Sequence, residues 1–184
     1  YIDSPKKPAA VQVFDANGKE VLAQLVDWKD GKAHIAFSAS VAPLSCSVYD
    51  VRFGKSSKRS SLKATQNTLE NSVYKLTLNA NGDIASIIDK RTNQELVEPG
   101  KAFRLALFLG NESTEWPAWE IQKKVIDKPG TEISGEVKIS IAEQGPSYAA
   151  LRVERSYNTS KFVQYIRMSE GANDERIDII NEVD

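Results

Sequence analysis

The chain has 184 residues, of which 41% are hydrophobic and 27% charged, an ordinary soluble composition with room for one large domain or two smaller ones. With 24 basic and 25 acidic residues the formal net charge is -1, which gives no electrostatic pull toward nucleic acid or an anionic membrane surface. The apolar runs are too short to span a bilayer, and a single cysteine, Cys46, leaves no intrachain disulfide and no guide to compartment.

The chain begins at Tyr1 with no charged and apolar leader, and it closes on a strand-like 177–184 stretch without a turn. Both ends read as though the chain were excised from something longer. Val11 to Phe14 is followed by the turn residues Asp15-Ala16-Asn17-Gly18-Lys19. Short strands are predicted near 21–26, 33–37 and 46–53, lengths and turns that suit a small antiparallel sandwich. The segment Gly54-Lys55-Ser56-Ser57-Lys58-Arg59-Ser60-Ser61 is polar and cationic and reads as a linker. This places a small sandwich at 1–57 and a larger β unit at 62–184.

Residues 69–91 read as strand, turn and strand, with Asn81-Gly82 expected to supply a positive-φ pair for a tight hairpin. Residues 103–109 are almost wholly apolar and predict a strand covered on both faces. The 110–118 loop is polar and aromatic, the kind of connection that often carries function. From 132 to 142 the chain alternates strictly, with Ile133, Gly135, Val137, Ile139 and Ile141 on the inner face. Gly135 there predicts a bulge or a close neighbouring backbone. Two further strands follow at 149–157 and 161–168. The first buries Ala149, Leu151 and Val153, and the second buries Phe162, Ile166 and Met168, with Gln164 as the exception. A last strand at 176–183 is expected to point Ile177, Ile179 and Val183 inward. No convincing amphipathic helix is found.

Catalytic motifs are scarce. One histidine, His34, and one cysteine cannot assemble the three or four ligands of a zinc site, and they leave little for Ser–His or Cys–His nucleophilic chemistry. No nucleophile elbow, phosphate-binding glycine loop or paired-cysteine motif is present. Asp83, Asp89, Glu112, Glu115 and Glu120 are acids that a glycosidase-type pair ~5–10 Å apart could use, although acids in turns are usually solvated. The triplets beginning at Asn111 and Asn158 fit the glycosylation pattern, which is short enough to arise by chance. Trp116-Pro117-Ala118-Trp119-Glu120-Ile121 is the candidate site. Trp116 and Trp119 can stack on a sugar face while Glu120 accepts from its hydroxyls. An interface or core role for the two indoles is favoured over direct sugar contact.

Three segments, in order, resemble the α-mannosidases of glycoside hydrolase family 38. They are the 9–21 stretch with Pro43-Leu44 and Val48-Tyr49, the 69–91 hairpin, and Trp116 to Ile121. In the third, many family members carry Asp-Ala-Trp-Asp-Ile; Pro117 and Glu120 replace the two acids. Asn181-Glu182-Val183-Asp184 is similar to a family strand that usually continues into Trp. The resemblance implies an all-β fragment, a small β-sandwich followed by the opening of a large β-supersandwich of the galactose-mutarotase-like kind. It further implies a retaining, zinc-dependent parent whose zinc ligands and Asp nucleophile lie in an upstream catalytic domain. The fragment itself then carries no catalytic residue, no metal and no cofactor. Its partners would be that upstream domain and mannose-containing glycans, and its role that of scaffold and active-site rim. Two rivals stand beside this: a free-standing carbohydrate-binding module, and a mutarotase-like epimerase, which the position of His34 in the first sandwich counts against.

Overall fold

A computed structural model describes residues 1–110, 113, 115–116, 119–133, 135–171 and 174–184. The chain is all-β, as read from the sequence. Strands β1 (Ile2–Asp3), β2 (Val11–Phe14), β3 (Glu20–Val21), β4 (Ala23–Lys29), β5 (Lys32–Phe37) and β6 (Asp50–Phe53) form two small sheets, ordered β1-β5-β4 and β3-β2-β6. Val11, Val13 and Ala23 are buried between them, with Leu25, Ile35, Phe37 and Val51 packed around. The β4–β5 hairpin turns on Asp30 and Gly31, both at positive φ, the pair that a two-residue turn requires. The expected strand at 46–53 is shorter, starting only at Asp50. Cys46 and Val48 are exposed, and Leu44 stands fully in solvent, so this stretch has no apolar face to hold it in a sheet.

The larger unit starts with β7 (Lys63–Ala64), β8 (Thr68–Glu70), β9 (Tyr74–Leu78), β10 (Ile84–Asp89) and β11 (Gln94–Glu95), paired in the order β11-β10-β9-β8-β7. Next come β12 (Ala106–Leu107), one helical turn α1 (Lys123–Ile126), and β13 (Thr131–Glu132), which pairs with β12. Then β14 (Lys138–Gln144), β15 (Tyr148–Tyr157), β16 (Ser160–Ser169) and β17 (Ile177–Val183) form a four-stranded antiparallel sheet in sequence order. Leu69, Leu76, Leu78, Ile84 and Ile87 of the first sheet pack on Leu151, Val153, Ile166 and Met168 of the second. Burying each such side chain contributes about 1.5–3 kcal/mol. The inward positions named for β15 and β16 are all buried.

Four further expectations need correction. The β9–β10 turn is not a two-residue one, because only Gly82 has positive φ. Gly82 N–H donates to the Asn79 carbonyl at 3.0 Å, and Asn79 Oδ1 accepts from Asn81 N–H and Asp83 N–H, so the side chain of Asn79 organises a longer loop. Asp15 to Lys19 repeats the arrangement, with Gly18 N–H donating to the Asp15 carbonyl and Asp15 Oδ1 accepting from Asn17 and Lys19. Second, residues 103–109 are not a doubly covered strand: Phe103 makes an isolated antiparallel bridge to Ile84, Ala106–Leu107 pairs with β13, and Phe103, Phe108 and Leu109 are exposed. Third, the alternating 132–142 run is broken between β13 and β14, and the register shifts between Ile141 and Glu143, leaving Ile141 exposed. Gly135 does lie against a neighbouring backbone, since a Cβ there would sit 2.2 Å from the Ser156 carbonyl oxygen. Fourth, Ile179 and Val183 are 45% and 67% exposed: β17 is the outer strand of its sheet, and Ile177 at its start is the residue that packs against the core.

The 54–62 segment carries no strand. It is tethered from both sides: Ser57 donates through its hydroxyl and N–H to Glu20, and Ser61 Oγ donates to Glu170. The Ser57 hydroxyl is the main reason the Glu20 carboxyl lies below its ordinary pKa. No described helix is long and apolar enough to cross a membrane.

Candidate functional site

The tryptophan segment forms a turn in which Trp119 N–H and Glu120 N–H both donate to the Trp116 carbonyl, at 3.0 and 2.9 Å. The Ser113 hydroxyl donates to Glu120 Oε2 at 2.6 Å and accepts from Trp116 N–H, which fixes the acid beside the indoles. The rings stack on each other with centroids 5.8 Å apart and planes 20° from parallel. Trp116 is 59% and Trp119 85% exposed, so neither indole fills the core of this chain. What remains of the expectation is an outward surface, for a sugar face or another domain. Ile121 and Ile126 are exposed nearby in sequence, while Val125 anchors the helical turn by burial. Pro117 and Ala118 lie outside the described residues.

The acids considered for a catalytic pair are distributed otherwise. Asp83 and Asp89 bracket β10, which separates them by about 20 Å of extended chain, too far for two carboxyls to share one glycosidic bond. Asp83 pairs with Arg155 at 2.9 Å. Asp89 pairs with Arg91 at 2.8 Å, and hydrogen bonds from the Arg91 side chain lower its pKa to about 2. Glu115 is exposed, and Glu112 lies outside the described residues. Glu143 is pushed upward by burial, yet it sits against Gln24 at the junction of the two units. Among the described residues no three His, Cys, Asp or Glu side chains converge as a metal site. His34, half-buried on β5, stacks on Tyr1 with ring centroids 4.5 Å apart, and Cys46 is exposed.

Several buried polar groups escaped the sequence reading, among them Arg155 and Asn71. Arg155 is almost fully buried, donating to the Asn81 carbonyl, to Asp83 and to Gln164, whose amide in turn donates to Asn181. Its parity with Leu151 and Val153 on β15 was the available signal, since it continues the inward-facing row. Asn71 is another, its Oδ1 accepting from Val73 and Tyr74 and its Nδ2 donating to the carbonyls of Ser169 and Asp174.

Among curated proteins, nothing matches the chain. The family described as glycosyl hydrolases family 38 C-terminal domain matches residues 69–184. That span runs from β8 through β17 and includes the hairpin, the tryptophan turn and both facing sheets. The chain therefore belongs to glycoside hydrolase family 38, as its C-terminal β domain.

Proposed function

We propose that this chain is the non-catalytic β portion of a retaining, zinc-dependent α-mannosidase, serving as scaffold and active-site rim. The match to the family over 69–184 carries this reading. Zinc would be held by an upstream catalytic domain of the same polypeptide. The described residues of this chain offer no converging ligand set for it, so no step of the chemistry is drawn through them. Residues 1–57 and 62–184 would be the two structural units, each with its own buried cluster, and 62–184 the opening portion of the supersandwich.

In this reading Trp116 and Trp119 face either mannose-containing glycan or the catalytic domain. The test is a chromogenic aryl α-mannoside assay on the purified chain and on the chain joined to its upstream domain. Activity is expected only in the second. Release of mannose by the chain alone above a no-protein blank would overturn the proposal.

The exposed outer face of Trp119 favours a second reading, a carbohydrate-binding module. Calorimetry of the chain against mannose oligosaccharides separates the two. Binding that Trp119→Ala abolishes would support the module.

A further inference from the structure

A cleft of about 450 Å3 opens between the Asn79–Asp83 turn, the 100–104 segment and Glu132 of β13. Small-molecule sites run from about 300 to 1,000 Å3. A smaller recess of about 140 Å3 shares Asn81, Asp83, Arg104 and Glu132 with it and reaches Arg155. Among the described residues, none of the tryptophan turn lines this cleft.

Its polar groups are only partly used. Asp83 Oδ1 is held by buried Arg155, while Oδ2 receives no hydrogen bond from the described residues. Across the mouth, Arg104 Nη1 donates to Glu132 Oε1 at 2.6 Å. The remaining Arg104 N–H groups and the second Glu132 oxygen make no such bond with the described residues. Asn79 spends its carbonyl oxygen on the turn and leaves its amide N–H groups over. Acceptors and donors that make no hydrogen bond with the described residues therefore share one opening.

That mixture selects a chemistry. A hydroxyl both donates and accepts, so adjacent hydroxyls are matched by a carboxylate beside a guanidinium or amide. An anion would meet the Asp83 and Glu132 carboxylates, and a cation would meet Arg104 and Lys101, so neither is favoured. We propose that this cleft binds a neutral saccharide unit, with Asp83 and Glu132 accepting from neighbouring hydroxyls and Arg104 donating to them. This rests on the glycosidase reading and extends it: the unit bound would be a part of the glycan remote from the bond being cleaved. No aromatic ring of the described residues lines the opening, so affinity is set by hydrogen bonds and should be weak, with a Kd of about 1 mM.

The test titrates the 184-residue chain with mannotriose, and separately with maltotriose, following side-chain N–H signals by NMR. Saturable shifts at the Arg104 Nε–H and Asn79 amide are expected. Arg104→Met and Glu132→Gln, both at exposed positions, should each weaken binding about tenfold, and Trp119→Ala should leave it unchanged. Absence of saturable shifts with either sugar at about 10 mM would overturn the proposal, as would shifts indifferent to Arg104→Met or abolished by Trp119→Ala. Maltotriose binding without mannotriose binding would keep the cleft and sink the mannoside assignment. Failure here leaves the mannoside assay of the joined protein to decide that reading by itself.

Discussion

The side-chain oxygen of Gln24, on β4, accepts the backbone N–H of Ser147 at 2.9 Å, 123 residues further along the chain. The same Oε1 accepts Tyr148 N–H at 3.0 Å, and Nε2 donates to Glu143 at 3.2 Å. Gln24 is 4% exposed, and Gly145 leaves room for it, since a Cβ there would fall 2.3 Å from that oxygen. One amide thus completes the β14–β15 turn and joins the small sandwich to the large unit.

Gln24→Ala should therefore act well beyond its own volume. It strands the buried Ser147 N–H and the half-buried Tyr148 N–H, the first at about 1–3 kcal/mol before relaxation. Urea unfolding should show a loss of about 2–3 kcal/mol, whereas an exposed change such as Lys19→Ala stays within about 0.5 kcal/mol. Equal midpoints for the two variants would refute the role given to Gln24.

The Asp83–Arg155 pair gives a sharper asymmetry. Burial pushes the Arg155 pKa down and Asp83 opposes that shift. Asp83→Ala leaves a buried guanidinium without its counter-charge, at a cost of about 3–5 kcal/mol. Adding Arg155→Met removes the orphan charge, so the double variant should be more stable than Asp83→Ala alone. A double-mutant cycle by chemical denaturation checks this, and strict additivity would contradict it.

Two carboxyls set opposite pH dependences. Asp89 falls from its ordinary 3.8 to about 2 on folding, chiefly through hydrogen bonds from the Arg91 side chain. Its stabilisation is complete above pH 3.8 and is lost as pH falls toward 2. Glu143 is raised above 4.5 because burial penalises its charged form. The folded state then binds more protons than the unfolded state just above pH 4.5, so this group's contribution weakens as pH rises through that window. Melting temperature against pH should lose its steepest acid limb in Asp89→Asn. In Glu143→Gln the decline above pH 4.5 should flatten. The same profile in both variants and the parent would rule out these assignments.

Gly135→Ala probes the backbone contact directly. The added methyl meets the Ser156 carbonyl oxygen, and a clash with backbone relaxes less readily than one with a side chain. A loss of about 1–3 kcal/mol is expected, read from thermal unfolding. Gly100→Ala differs in kind: nothing lies within 4 Å of its Cβ, so any cost there comes from its positive φ alone.

The sequence by itself determined the all-β class, the inward rows of β15 and β16 and the turn at Asp15, and it placed a turn at Asn81-Gly82 without its form, because period-two patterning and Asx–Gly chemistry act within a few residues. It also marked the tryptophan turn and, through three ordered segments, the family. The tertiary structure alone decided which apolar runs are covered. Residues 103–109 and the outer strand β17 carry the composition of a core, but burial depends on what lies opposite, and nothing in their own spacing states that. The same holds for Gln24 and Asp83, polar residues that read locally as surface. Their partners are more than 70 residues away, and only folding brings the two sides within hydrogen-bonding distance.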